Sequence, residues 1–201
     1  MDDFVQTALR YIADHGAWAG PILFLVSFGE SLAVISFMIP GTAILFAAGT
    51  MIPETLSLGP TLVGAVAGAA LGDGVSYWLG RRFSGGIARI WPFTRYPAAI
   101  PQGIAFFKRH GGKSIFIGRF FGPARATVPL AAGLLRMPPG RFWLMNLASA
   151  VLWAPTILFL GAAFGRAATL LLGIEDAFVL VLLGFGALGL GGVWLIGRGR
   201  R

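Results

Sequence analysis

The stretch Gly118–Gly133, GRFFGPARATVPLAAG, sets Arg119 and Arg125 among three glycines and the prolines Pro123 and Pro129, in the middle of apolar sequence. A charged residue at the centre of a bilayer costs about 2.5–3.5 kcal/mol on insertion scales, so ionisable residues inside apolar runs are functional candidates by default. Two carboxylates join the arginines on that ground, Glu30 in FGES and Asp73 in LGDG. Guanidinium groups stay charged and bind phosphate through paired donors, which an ammonium does less well. The ends of interrupted helices add free amides that favour the same anion. A carboxylate beside such a site can take up a proton as an anion moves, with Glu30 the first candidate and Asp73 the next. The plain alternative is a pair of buried ion pairs that only lock the fold. That fits Asp73 with an arginine better than it fits Arg125, which has Pro123 two residues before it.

Enzymatic chemistry finds less support. The chain has no cysteine, which removes thiol chemistry, disulfides and cysteine-held metals. Its two histidines, His15 and His110, sit beside glycines with no second ligand or carboxylate at metal spacing. HGGKS (His110–Ser114) has the tail of a phosphate-binding loop, but Phe107 occupies the position where that pattern needs glycine, and no strand precedes it. Neither an enzyme nor a resident cofactor or metal is expected.

The elements that must hold these residues are membrane helices. Of 201 residues, 56% are hydrophobic and 12% charged, and the charges are bunched between long uncharged runs. Ala177–Ile196 has twenty residues without a charge, enough to cross the roughly 30 Å hydrocarbon layer as a helix. The acidic opening, MDDFVQTALRYIADHG, argues against a signal peptide; its spacing predicts an amphipathic helix over residues 1–15, with Phe4, Ala8, Leu9 and Ile12 on one face. The net charge of +8 is concentrated in residues 81–113, where seven Lys and Arg stand with no acid. The positive-inside rule puts that loop in the cytoplasm, and no nucleic-acid motif accompanies it.

Topology follows by parity. If the basic loop and the tail carrying Arg198, Arg200 and Arg201 are both cytoplasmic, an even number of crossings lies between them. Phe142–Gly165 and Ala177–Ile196 supply two, so Ser114–Leu135 must enter and leave on one side, as a re-entrant hairpin broken at Pro123 and Pro129. Gly59–Gly80 is a further span, and before it the region 17–53 holds a second interrupted segment, broken at Pro40, Gly41 and Thr42. The Ala47-Ala48-Gly49 and Ala131-Ala132-Gly133 triplets, with YWLGRRF (Tyr77–Phe83) and LFLGAAF (Leu158–Phe164), keep register to within a few residues. The expected fold is therefore an all-α integral membrane protein. It is an inverted repeat of two re-entrant hairpins, each followed by a transmembrane helix, with the N-terminal amphipathic helix and a C-terminal span over 177–197 added. The small residues in Gly184–Gly192 would allow close packing within the chain or in a homo-oligomer.

With these residues in place the chain resembles the DedA family of membrane proteins, also known by its VTT domain. The likeness rests on GESLAVISFMIPGTAILFAAG (Gly29–Gly49), LGDGVSYWLGRRFSGG (Leu71–Gly86), FFKRHGG (Phe106–Gly112) and GRFFGPARATVPLAAGLLRMP (Gly118–Pro138). The resemblance implies two opposed re-entrant hairpins and movement of lipids across the bacterial inner membrane, with undecaprenyl phosphate or a phospholipid such as phosphatidylethanolamine as cargo. It also implies that Arg119 and Arg125 hold the headgroup phosphate while Glu30 and Asp73 balance charge or relay protons. Many members carry another acid where this chain has Thr42. Threonine cannot release a proton, so either Glu30 and Asp73 suffice for proton coupling or the lipid moves passively. A proton-driven antiporter of a small ion or drug would use the same residues, and a non-transporting scaffold would need none of them.

Because the chain lacks native cysteine, single Arg95→Cys and Glu54→Cys variants report topology directly. A membrane-impermeant maleimide applied from one side is expected to label only one of them; equal labelling of both would overturn the inverted arrangement.

Overall fold

The computed structural model describes residues 18–33, 35–36, 41–52, 57–83, 93–120 and 122–173. The expected amphipathic helix over 1–15, the span over 177–197 and Pro40 lie outside them. The described residues form seven helices and no strand: α1 (Ala19–Ser31), α2 (Gly41–Thr50), α3 (Leu58–Arg82), α4 (Ala99–His110), α5 (Lys113–Phe120), α6 (Gly122–Leu134) and α7 (Pro139–Leu172).

Two of these are long and apolar enough to cross a membrane. At 25 and 34 residues, α3 and α7 run about 37 and 51 Å. They contain the expected spans Gly59–Gly80 and Phe142–Gly165. Pro139 opens α7 at a position where its missing N–H costs nothing, and Gly173 closes it in the left-handed conformation (φ 65°), donating to the carbonyls of Ala168 and Thr169. The last turn of α3 carries Arg81 and Arg82, favourable against the negative end of the helix dipole. The other helices are each 13 residues or shorter, too short to cross alone.

Polarity is arranged for lipid. Leu144, Leu147, Val151, Leu152, Phe159 and Leu160 face outward from α7, while Asp73, Arg119, Arg125, Asn146 and Ser149 are buried. A soluble protein of this size would place polar residues on such a face.

Glycine sets the helix contacts. On α3, Gly64, Gly68 and Gly72 lie against the backbone of α1, where an added Cβ would overlap the carbonyls of Gly20, Phe24 and Phe28. Two further contacts mirror one another. A Cβ on Gly49 of α2 would meet the Leu158 carbonyl of α7, and one on Gly161 would meet the Phe46 carbonyl of α2. In the same way Gly133 of α6 meets the Tyr77 carbonyl of α3, and Gly80 meets the Leu130 carbonyl of α6. In all four cases the carbonyl lies three residues before the partner glycine. The matched sequence pairs thus touch crosswise: α2 packs on α7, and α6 packs on α3.

Two expectations need correction. Pro129 does not break the chain, because it lies inside α6, and Pro123 is the second described residue of the same helix. The basic segment 81–113 also holds more than a connection. Residues 99–110 form α4, whose buried Ile100 and Gly103 turn inward, with Gly103 against Thr127 of α6.

Gly161→Ala and Gly133→Ala are each expected to lower unfolding stability in detergent by about 2–3 kcal/mol. Gly140→Ala, where nothing lies within 4 Å of the new methyl, is expected to leave it unchanged or slightly raised.

Candidate functional site

The four charged residues singled out by type and position are all buried, and they pair. Glu30 is the penultimate residue of α1, and Leu32 then leaves the helix in an extended conformation. Gly41 starts α2 directly against the Glu30 side chain; a Cβ there would collide with the carboxylate. Arg125 of α6 reaches this point from the other side. Its Nη1 lies 2.8 Å from Glu30 Oε1 and donates to Thr42 Oγ1 at 2.9 Å, while Nη2 donates to Ser31 Oγ at 3.3 Å. The Thr42 hydroxyl donates in turn to Glu30 Oε1. The guanidinium lies over the ring of Trp153 of α7, its Cζ 4.2 Å from the centroid, a cation–π contact. Helices α1, α2, α6 and α7 therefore converge on one arginine.

Arg119 of α5 makes the second cluster. Its Nη2 contacts Asp73 Oδ2 of α3 and Asn146 Oδ1 of α7. Asn146 is fixed by its own amide, whose Nδ2 donates to the Ala70 carbonyl at 2.8 Å. Asp73 belongs to a face of α3 turned wholly toward the second half of the chain. Along it the Tyr77 hydroxyl donates to the Met137 carbonyl at 2.5 Å, Gly80 meets α6, and Arg81 Nη1 donates to the same Met137 carbonyl at 3.2 Å. Ser76 ties the α1 exit to α3: its Oγ accepts from the Ala33 N–H at 2.9 Å and lies 3.0 Å from the Ser31 carbonyl.

Pairing leaves donors over. Arg119 Nε and Nη1, Arg125 Nε, Glu30 Oε2 and Asp73 Oδ1 are buried and have no hydrogen-bond partner among the described residues. Buried polar groups in native structures are nearly always satisfied, and each one that is not calls for a reason. A pair of ion pairs serving only to lock the fold would have little use for three free guanidinium nitrogens. Those nitrogens are the donor set that an anion with several oxygens accepts from.

Ser31, Ser76, Asn146 and Trp153 were not among the residues marked by sequence. Asn146 carried a readable signal, since an amide inside an otherwise apolar span is costly unless paired. Trp153 carried none, because an aromatic residue in a span is ordinary.

Comparison with known proteins places these features in a family. The VTT domain matches residues 39–163, a stretch that includes Thr42, Asp73, Arg119 and Arg125. The chain is 32% identical over 192 residues to the inner membrane protein YabI of Escherichia coli (strain K12), covering 94% of this chain and 75% of that protein. It is 31% identical over 181 residues to the protein DedA of the same strain, covering 86% and 79%. It is 30% identical over 147 residues to the uncharacterized membrane protein BU139 of Buchnera aphidicola, where it covers 73% of this chain and 57% of that one. No solved structure matches the chain.

Removing one partner of a buried ion pair strands the other. Asp73→Ala and Arg119→Ala are each expected to cost about 3–5 kcal/mol, while the double variant costs well under the sum, as read by a double-mutant cycle of unfolding in detergent.

Proposed function

This chain belongs to the DedA family of VTT-domain membrane proteins, and on that footing we propose that it is a lipid transporter and not an enzyme. Its cargo is a lipid with a phosphate headgroup, undecaprenyl phosphate or a phospholipid such as phosphatidylethanolamine, carried across the bacterial inner membrane. The observation that carries this reading is the set of buried guanidinium nitrogens with no partner among the described residues, Arg119 Nε and Nη1 and Arg125 Nε. A phosphate entering between the arginines accepts from these nitrogens while its lipid tails remain in the hydrocarbon. Glu30 and Asp73 balance the two cations when the headgroup has left, so the buried charge stays compensated at each stage.

Thr42 shapes the coupling. Its hydroxyl both donates to Glu30 and accepts from Arg125, a bridging role that needs no ionisation. Proton uptake, if transport is coupled, falls to Glu30 and Asp73. Protonating Glu30 would remove the negative partner of Arg125 and leave that guanidinium to the phosphate.

The helix pattern supports a re-entrant, inverted architecture around this site. Each half has a pair of short helices, α1–α2 and α5–α6, followed by a long one, and the crosswise glycine contacts repeat between the halves with the same three-residue offset. Transporters built this way bind cargo where the interrupted helices meet.

Translocation in proteoliposomes tests the proposal, comparing undecaprenyl phosphate with phosphatidylethanolamine, with and without a proton gradient. Arg119→Lys and Arg125→Lys keep the charge and lose the fork. Hydrogen bonds to charged groups are worth about 1.5–3 kcal/mol, so each variant is expected to slow transport at least about tenfold while remaining folded. A wild-type chain that moves neither lipid under either condition sinks the lipid reading, and exchange of a soluble ion for protons becomes the activity to measure.

A further inference from the structure

A second cationic site lies away from the buried arginines. The turn between α4 and α5 and the start of α7 enclose a groove of about 750 Å³ whose lining includes Arg109, His110, Lys113 and Arg141 and no acid. We propose that this groove binds an anionic phospholipid of the cytoplasmic leaflet, its phosphate held by Arg109, Lys113 and Arg141 and its chain laid along Phe107, Ile117 and Met145.

Charge balance is the first support. From Gly74 to Ile174 the chain contains no Asp or Glu. The acids among the described residues are Glu30 and Asp73, both buried and held by Arg125 and Arg119. Arg109, Lys113 and Arg141 are exposed, and none of them has an ion pair among the described residues. Three clustered like charges repel, so the arrangement favours a counter-anion supplied from outside.

The second support is the groove's other wall. Phe107, Ile117 and Met145 are half-buried and apolar, surface that a free phosphate in water would not use and an acyl chain would cover. Basic pockets between helices on the cytoplasmic side take anionic headgroups for this reason.

Position is the third. Trp78, 56% exposed in the last turns of α3, and Trp143, 36% exposed near the start of α7, mark this end of the bundle as the headgroup level where amphipathic rings settle. The frame is also fixed in advance. Gly111 turns the chain at φ 57°, its N–H donates to the Phe107 carbonyl at 2.7 Å, and the Ser114 hydroxyl donates to the Gly111 carbonyl at 2.5 Å. A side chain at Gly111 would strain that turn, because L residues rarely adopt this conformation. The groove shares α5 with the buried site: Lys113 opens that helix, and Arg119 lies six residues, roughly 9 Å, further along it. Binding in the groove does not require transport, so failure of either proposal leaves the other standing.

The experiment uses the full chain purified in dodecyl maltoside, with dioleoyl-phosphatidylglycerol, dioleoyl-phosphatidylcholine and inorganic phosphate as probes. Binding is read as ligand-dependent thermal stabilisation and as lipid copies retained in native mass spectrometry. Phosphatidylglycerol is expected to bind, while phosphatidylcholine and inorganic phosphate at the same concentration are not. Each cation near an anionic lipid is worth about fivefold in affinity, so the triple variant Arg109→Gln, Lys113→Gln, Arg141→Gln should weaken phosphatidylglycerol binding on the order of a hundredfold. The control, Arg82→Gln with Arg136→Gln, removes two cations from the neighbouring cleft formed with Trp78 and Arg81 and should leave affinity within about threefold. Wild-type affinity in the triple variant, an equal loss in the control, binding of phosphatidylcholine, or a shift with inorganic phosphate alone would each overturn the proposal.

Discussion

A guanidinium withdrawn from water must be met by an opposite charge and by acceptors for its fixed donors, and no single helix can supply both. Arg125 draws its carboxylate and one hydroxyl from α1, a second hydroxyl from α2 and an aromatic face from α7. Arg119 takes its carboxylate from α3 and an amide oxygen from α7. The two arginines are six residues apart in sequence, Arg119 on α5 and Arg125 on α6, and they meet partners on different helices. One short stretch of chain thus serves two buried ion pairs.

Packing follows from the same need. In lipid, apolar side chains gain little by associating, so helices close on one another by van der Waals fit, and small residues permit the approach. The glycines of α3 bring α1 near enough for Ser76 to hold the chain where it leaves Glu30. Those of α2, α3, α6 and α7 bring backbone against backbone at the crosswise contacts. A bulkier residue at these positions would move the carboxylates away from the arginines.

Much of this was legible in residue types. The long apolar runs marked α3 and α7, and charge inside apolar sequence marked Glu30, Asp73, Arg119 and Arg125. The matched AAG and LG segments marked a repeat, although the likeness could not say that each would touch the other half. Proline alone does not mark a break. Pro129 sits in the body of α6, and membrane helices tolerate such a residue. The helix at 99–110 was hidden by attention to its charge, although Ile100, Gly103, Ile104 and Phe107 recur at helical spacing. Which acid meets which arginine had no sequence signal, since pairing is decided by how the helices cross.

The contacts of glycine with facing carbonyls gather five of the described helices into two bodies. One is α2 locked on α7; the other is α1 and α6 locked on α3. The charged clusters bridge them: Glu30 to Thr42, Arg125 to Trp153, and Asp73 through Arg119 to Asn146. Any displacement that keeps the glycine contacts intact must therefore part the bodies along the seam that holds all four charges. The ion pairs act in that geometry as the clasps of a hinge.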